Sequence, residues 1–207
     1  AIVKAMLETE ILPDFITIDG AEGGTGAAPV EFSNRLGTPC LEATYYVHQV
    51  LVGAGLRQSL KLISAGQTAT GFDMLEKIAM GADAVNAARS MMMALGCVQA
   101  KSCNTNHCPT GVATQNAHRA RAIDVDEKAV RVRNFQHGTV EAFLELCGAM
   151  GYSDPDALSP SDLLSRCEGL VKNYDQLYQP LIENQLFTDS IPDYYRDDWL
   201  KTSEVTF

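Results

Sequence analysis

An α/β architecture on parallel strands is what the 207 residues of this chain encode. Three short apolar runs, DFITIDG at 14–20, LKLISAG at 60–66 and ADAVNAARS at 82–90, read as strands rich in β-branched or small residues. Between the second and third lies a helix-period segment from Thr70 to Met80. Strand, loop, helix and strand at this spacing form a βαβ unit, which requires parallel strands. After about residue 115 the composition changes from Gly, Ala and apolar residues to charged helical patterns. That shift divides the chain into 1–115 and 116–207, the second part a helical extension ending in an irregular tail.

Each element has its local cause. AIVKAMLETE at 1–10 reads as the end of a helix that starts before the chain does, without a signal-peptide pattern. The strand at 14–20 opens into AEGGTGAAP, where Gly23, Gly24 and Gly26 permit close backbone approach to a ligand. This loop lacks the third glycine of a dinucleotide fingerprint and the lysine of a phosphate loop, so a plain turn is its alternative. Residues 41–55 form a helix with Tyr46, Val47, Val50 and Leu51 at core-facing spacing, and His48 within it reads as a core or surface histidine rather than a ligand. Thr70 caps the next helix, Phe72, Leu75, Ile78 and Ala79 form its buried face, and Gly81 ends it.

The ends of the second and third strands carry chemistry. Gly66 and Gln67 fall where backbone amides meet a helix N-terminus, and Ala88 and Arg89 close the following strand. In β/α barrels the loops after the last two strands often bind phosphate, and Gly66, Gln67, Ala88 and Arg89 would do so if these are those strands. An ordinary turn and a surface cation are the alternative.

The densest chemistry lies in LGCVQAKSCNTNHCPTGVATQ, which holds Cys97, Cys103 and Cys108 in a Cys-x5-Cys-x4-Cys spacing closed by Pro109. Three thiolates so close can converge on one inorganic centre, and a proline after the last ligand recurs in ferredoxin-type iron–sulfur sites. Zinc with His107 as fourth ligand, a disulfide, and plain buried cysteines compete with that reading. Beyond the cysteines, Arg119, Arg121, Lys128, Arg131 and Arg133 form a basic patch, either a solvated helix face or a docking surface for an acidic electron carrier. NFQHGTVEAFLELCGAM at 134–150 is an amphipathic helix with Cys147 in the core, and 159–170 reads as a short capped helix carrying Cys167. From about 173 a tail with Tyr174, Tyr178, Tyr194, Tyr195 and Trp199 packs on a domain or a partner.

The net charge of −10 argues against a general nucleic-acid binder. No apolar run reaches the length of a membrane span, because Asp83 and Arg89 interrupt the best candidate. A reducing cytoplasm is the expected compartment.

Taken together, IDGAEGGTGAAP, ISAGQTATG, NAARSMMMALGC and the cysteine motif followed by PTGVATQ resemble the C-terminal part of the FMN-binding domain of glutamate synthase. The resemblance covers roughly 1–150, extends weakly to about 166, and leaves the tail beyond 175 uncovered. It implies the C-terminal part of a (β/α)8 TIM barrel that holds FMN beside a 3Fe-4S cluster. It implies reductive amination of 2-oxoglutarate to L-glutamate, with electrons from a ferredoxin or a flavoprotein subunit. Carried over by motif, Cys97, Cys103 and Cys108 would ligate the cluster, and Gly66, Gln67, Ala88 and Arg89 would line the FMN phosphate. Gly23, Gly24, Thr25 and Gly26 would face the flavin ring or the keto acid. With three strands visible and no N-terminal cysteine nucleophile, the expectation is a barrel fragment, inactive alone, that self-associates or is completed by a partner chain. A non-catalytic metal-binding or assembly module is the alternative.

Overall fold

A computed structural model of the protein describes residues 1–20, 28–29, 31–32 and 35–206. Strands β1 (Phe15–Asp19), β2 (Lys61–Ala65) and β3 (Ala84–Asn86) form a parallel sheet in sequential order. Ile16 pairs with Leu62 and Ile18 with Ser64, while Ile63 pairs with Ala84 and Ala65 with Asn86. Helix α1 (Ile2–Thr9) precedes the sheet, and α2 (Cys40–Gly53) and α3 (Gly71–Ala79) are the crossovers. Parallel strands in chain order with intervening helices are compatible with part of a β/α barrel; among the described residues the parallel sheet has three strands.

The helices cover one face of the sheet. Ile18, Leu62 and Ser64 point into that layer and are buried, with Leu51, Leu60 and Met6 against them. The alternate residues Phe15, Thr17, Asp19, Lys61, Ala84 and Asn86 are exposed on the other face. Parallel sheets are normally buried on both sides, so this open face is the surface that a closed barrel would turn inward. Within the covered layer, Thr44 Oγ1 and Ser64 Oγ lie 2.9 Å apart, Cys40 Sγ is 3.2 Å from the same Ser64 oxygen, and Thr44 donates to the Cys40 carbonyl. Polar groups sealed between helix and strand are thus satisfied by one another.

Sequence and structure differ in several places. The run at 82–90 is a strand only over Ala84–Asn86, and Arg89 already begins helix α4 (Arg89–Leu95), whose Arg, Met, Ala and Leu favour helix. Phe72 is half exposed rather than core; Gly71 lies so close to the later helix that carries Phe143 that a Cβ would meet the Phe143 amide nitrogen at 2.5 Å, which turns the 71/75/79 stripe inward instead. On α2, Leu51 is buried as expected, but Tyr45, Thr44 and Gln49 are buried too, while Tyr46, Val47 and Val50 are only half covered.

Downstream come α5 (Ala117–Ala120) and a 25-residue helix α6 (Val125–Ala149), capped by the Asp124 carboxylate. The expected helix at 134–150 is the second half of α6, and Cys147 is in the core with Phe143, Leu75 and Tyr45. Residues 159–170 do not form the expected helix. They hold a turn of 3-10 helix and then a hairpin of β4 (Leu164–Cys167) and β5 (Leu170–Asn173), joined by Glu168 and Gly169, both with positive φ. Two central residues with φ above zero form the tight turn whose twist suits a hairpin. The tail expected to be irregular contains α7 (Tyr174–Tyr178) and α8 (Asp193–Lys201). It packs on α2 through Leu181, Leu186, Ile191 and Tyr195, and the buried Gln49 side chain accepts the Leu181 amide at 2.8 Å. Among the described residues no helix is long and apolar enough to cross a membrane.

His48 is structural, as expected. Arg57 donates from Nε to His48 Nδ1 at 2.9 Å, and its other nitrogens reach the Leu60 and Gly81 carbonyls and the Asp83 carboxylate. Burial, then the adjacent Arg57 charge, lowers the imidazole from its usual range to about 4. The native state therefore refuses a proton that the unfolded chain takes up near pH 6.5. Stability should be unaffected by this group above that pH, fall between pH 6.5 and about 4, and level below. The full loss is on the order of 3 kcal/mol. Urea titrations across this range should show it, and His48→Gln should flatten the slope.

Candidate functional site

The carboxyl ends of β2 and β3 meet at one edge of the sheet. Past β2 the chain turns at Gly66 and at Gln67, a non-glycine residue at φ 40°. The buried Ser90 hydroxyl, in the first turn of α4, donates to the Thr68 carbonyl at 2.8 Å and ties the two loops together. The bond links the loop that carries Gly66 and Gln67 to the first turn of the helix that begins at Arg89. The N-terminus of α3 carries its own capping box: the Asp73 carboxylate accepts the Ala69 and Thr70 amides at 2.9 and 2.8 Å. The Ala69 and Thr70 amides, just ahead of the helix, are thus satisfied by a side chain of the helix itself.

Helix α4 carries the chain from this edge to the cysteines. It ends at Gly96 in the left-handed region, and Cys97 follows. Cys97, Cys103 and Cys108 all line a single small recess with Met92, Val98 and Pro109, whose free volume of about 10 Å³ is room for one water. The loop is wound by left-handed residues at Gln99, Lys101 and Asn106. The Gln99 amide donates to Cys97 Sγ at 3.4 Å, and Thr110 Oγ1 lies 3.5 Å from Cys108 Sγ. The Ala113 amide, the Thr110 hydroxyl and the Thr110 and Val112 amides together lower the Cys108 thiol to about 7, so thiolate is well populated at neutral pH.

No disulfide joins Cys97, Cys103 and Cys108 to one another or to a further cysteine, against the disulfide reading. Among the described residues no three Cys, His, Asp or Glu side chains converge tightly enough for a single metal ion. His107 is exposed and does not line the recess. Three thiols around one recess, one of them made more acidic by nearby amides, are the donor chemistry that suits an iron–sulfur cluster. Gly23, Gly24, Thr25 and Gly26 lie outside the described residues.

The loop rests on the helix beyond it. Gly111, at φ 80°, lies where a Cβ would meet the Arg119 carbonyl oxygen at 2.5 Å, so only glycine fits between the cysteine loop and α5. Of the basic patch, Arg121, Arg131 and Arg133 are exposed, whereas Lys128 pairs with Glu127 at 3.0 Å. Sequence reading missed two features, the Ser90–Thr68 clamp and the winding of the loop at Asn106. A serine or an asparagine in a polar segment carries no pattern that marks it; only the P-T-G turn after Cys108 signalled that a closed loop follows.

A family model described as a conserved region in glutamate synthase matches residues 2–153. The glutamate synthase large subunit-like protein YerD of Bacillus subtilis is 40% identical over 171 residues, 82% of this chain and 33% of that protein. The archaeal glutamate synthase [NADPH] of Methanocaldococcus jannaschii is 37% identical over 70% of this chain and 28% of its own length. The ferredoxin-dependent glutamate synthase of Pyropia yezoensis is 33% identical over 93% of this chain and 12% of its own. The chain thus spans a third or less of each of these relatives. With the parallel strands, the clamped loop edge and the three-cysteine recess falling within the matched residues, the chain belongs to the glutamate synthase family.

Proposed function

We propose that this chain supplies the cluster loop and the phosphate end of the flavin site in a glutamate synthase-type oxidoreductase, which reductively aminates 2-oxoglutarate to L-glutamate. The observation that carries the reading is the gathering of Cys97, Cys103 and Cys108 on one recess at the end of α4. The start of that same helix is clamped to the β2–α3 loop. When bound, a 3Fe-4S cluster would supply one-electron transfer and FMN the hydride chemistry. Cys97, Cys103 and Cys108 would hold the cluster, with the amides around Cys108 balancing its negative charge. The Gly66 and Gln67 backbone and the Arg89 guanidinium would hold the flavin phosphate, and the small Ala88 side chain leaves room for its approach. Gly23, Gly24, Thr25 and Gly26 are assigned to the flavin ring or the keto acid by motif. A ferredoxin or a flavoprotein subunit would feed electrons to the cluster, in the cytoplasm.

The open sheet face favours one further reading, in which the chain completes its barrel with another chain and by itself serves as a metal-binding or assembly module. Anaerobic purification with iron, sulfide, zinc and flavin quantified beside the visible spectrum tests both. About three irons per chain with broad thiolate absorbance is the result expected of either cluster-bearing form. Bound flavin favours the catalytic one. Stoichiometric zinc, or neither metal nor flavin, would sink the cluster assignment.

A further inference from the structure

Asn106 sits between Cys103 and Cys108, is exposed, and is neither a thiol nor part of the recess wall. Its backbone is left-handed at φ 63°, a conformation that asparagine tolerates better than most residues. Its side-chain oxygen accepts the Gln115 amide at 2.6 Å and the Thr114 hydroxyl at 2.9 Å. The same hydroxyl also reaches the Asn106 carbonyl at 2.8 Å. The pattern continues outward: Thr114 Oγ1 accepts the Asn116 amide, and Asn116 Oδ1 accepts the amides of His118 and Arg119 in the first turn of α5. A chain of hydrogen bonds therefore runs from the midpoint between two of the cysteines to the helix on which Gly111 rests. It closes the segment from 106 to 115 into a ring that contains Cys108 and all three residues whose amides face its sulfur.

We infer that Asn106 is the positioning residue of the cysteine loop: through its Oδ1 it fixes the 106–115 ring on α5 and so presets Cys103 and Cys108 for their inorganic centre. The inference rests on the iron–sulfur reading above. Both side-chain bonds are accepted by one oxygen, so an aspartate can replace them, whereas alanine or glycine cannot. Glycine keeps the left-handed backbone without strain and separates the role of the oxygen from that of φ.

The test uses the full chain, purified anaerobically as wild type, Asn106→Asp, Asn106→Gly and Asn106→Ala. Iron release to a ferrous chelator and exchange of the Gln115 amide are followed, with the thermal midpoint as a check on folding. Iron release at least tenfold faster in the glycine and alanine variants, with Asn106→Asp within about threefold of wild type, is the expected result. Gln115 amide exchange should accelerate in the same two variants, metal or no metal. Equal release rates in wild type and Asn106→Gly would overturn the role of Asn106 while leaving the cluster reading intact. A wild-type chain that holds no iron would instead overturn the reading itself, before any variant is compared.

Discussion

Replacing Cys108 with serine should yield a folded protein that carries no cluster: iron and acid-labile sulfide should drop from about three irons per chain to background, with loss of the visible absorbance. The cause is local. Cys108 is buried and its sulfur faces the Ala113, Thr110 and Val112 amides, an environment that favours the thiolate form. Serine fits the same space and can accept the same amides, so the loop is kept, but a hydroxyl stays protonated at neutral pH and is a poor iron ligand. Cys147→Ser is the matching control. That thiol is 2% exposed in the core beside Phe143 and Leu75, and burial raises its pKa. Serine there places a hydroxyl among apolar groups and should cost about 1–3 kcal/mol without changing the iron content. Loss of iron in both variants, or in neither, would contradict the assignment of Cys108 as a ligand.

The second large effect is expected at Arg57, away from the candidate site. Its guanidinium bridges the His48 ring, the carbonyls of Leu60 and Gly81, and Asp83, at 2.9, 3.2, 2.8 and 2.7 Å. Asp83 in turn accepts the Leu62 amide at 2.7 Å and pairs with Lys61. One side chain thus joins α2, the start of β2, the end of α3 and the start of β3. Arg57→Ala leaves two carbonyls and a ring nitrogen without their donor and should destabilise by about 3 kcal/mol in a urea titration. The low end of the range for broken buried pairs applies, because the Asp83 side chain is 24% exposed and keeps Lys61. Arg57→Lys should rescue little, since an ammonium cannot span the same fork. The change should also move the acid sensitivity of His48 to higher pH, because the nearby positive charge that disfavours imidazolium is gone. A loss below about 1 kcal/mol would refute the network's central role.

Much of this was legible in the residues. DFITIDG and LKLISAG are apolar, β-branched and bounded by glycine, and both are strands in the structure. Thr70 with Asp73 three residues on is a capping signature, and both halves of the box form. The cysteine spacing was legible because three thiols within twelve residues have few common uses. The hairpin at 164–173 was not, because SPSD starts like a helix and the turn that decides against one depends on Glu168 adopting a positive φ. Phe72 misled because periodicity gives a stripe but not its rotation, which is set here by the contact of Gly71 with α6. The Asn106 ring was invisible for a different reason: its partners are eight and nine residues away, and no short pattern encodes such a bond.

The one-sided sheet means that neighbouring positions on a strand answer to different demands. Ile18, Leu62 and Ser64 are held in place by what this chain needs in order to fold. Asp19, Lys61 and Asn86, one step along and facing the other way, contribute little to that task and are left to be chosen by whatever the open face meets. Sequence drift along these strands should therefore alternate residue by residue, with one set of letters recording the history of the fold and the interleaved set the history of its use.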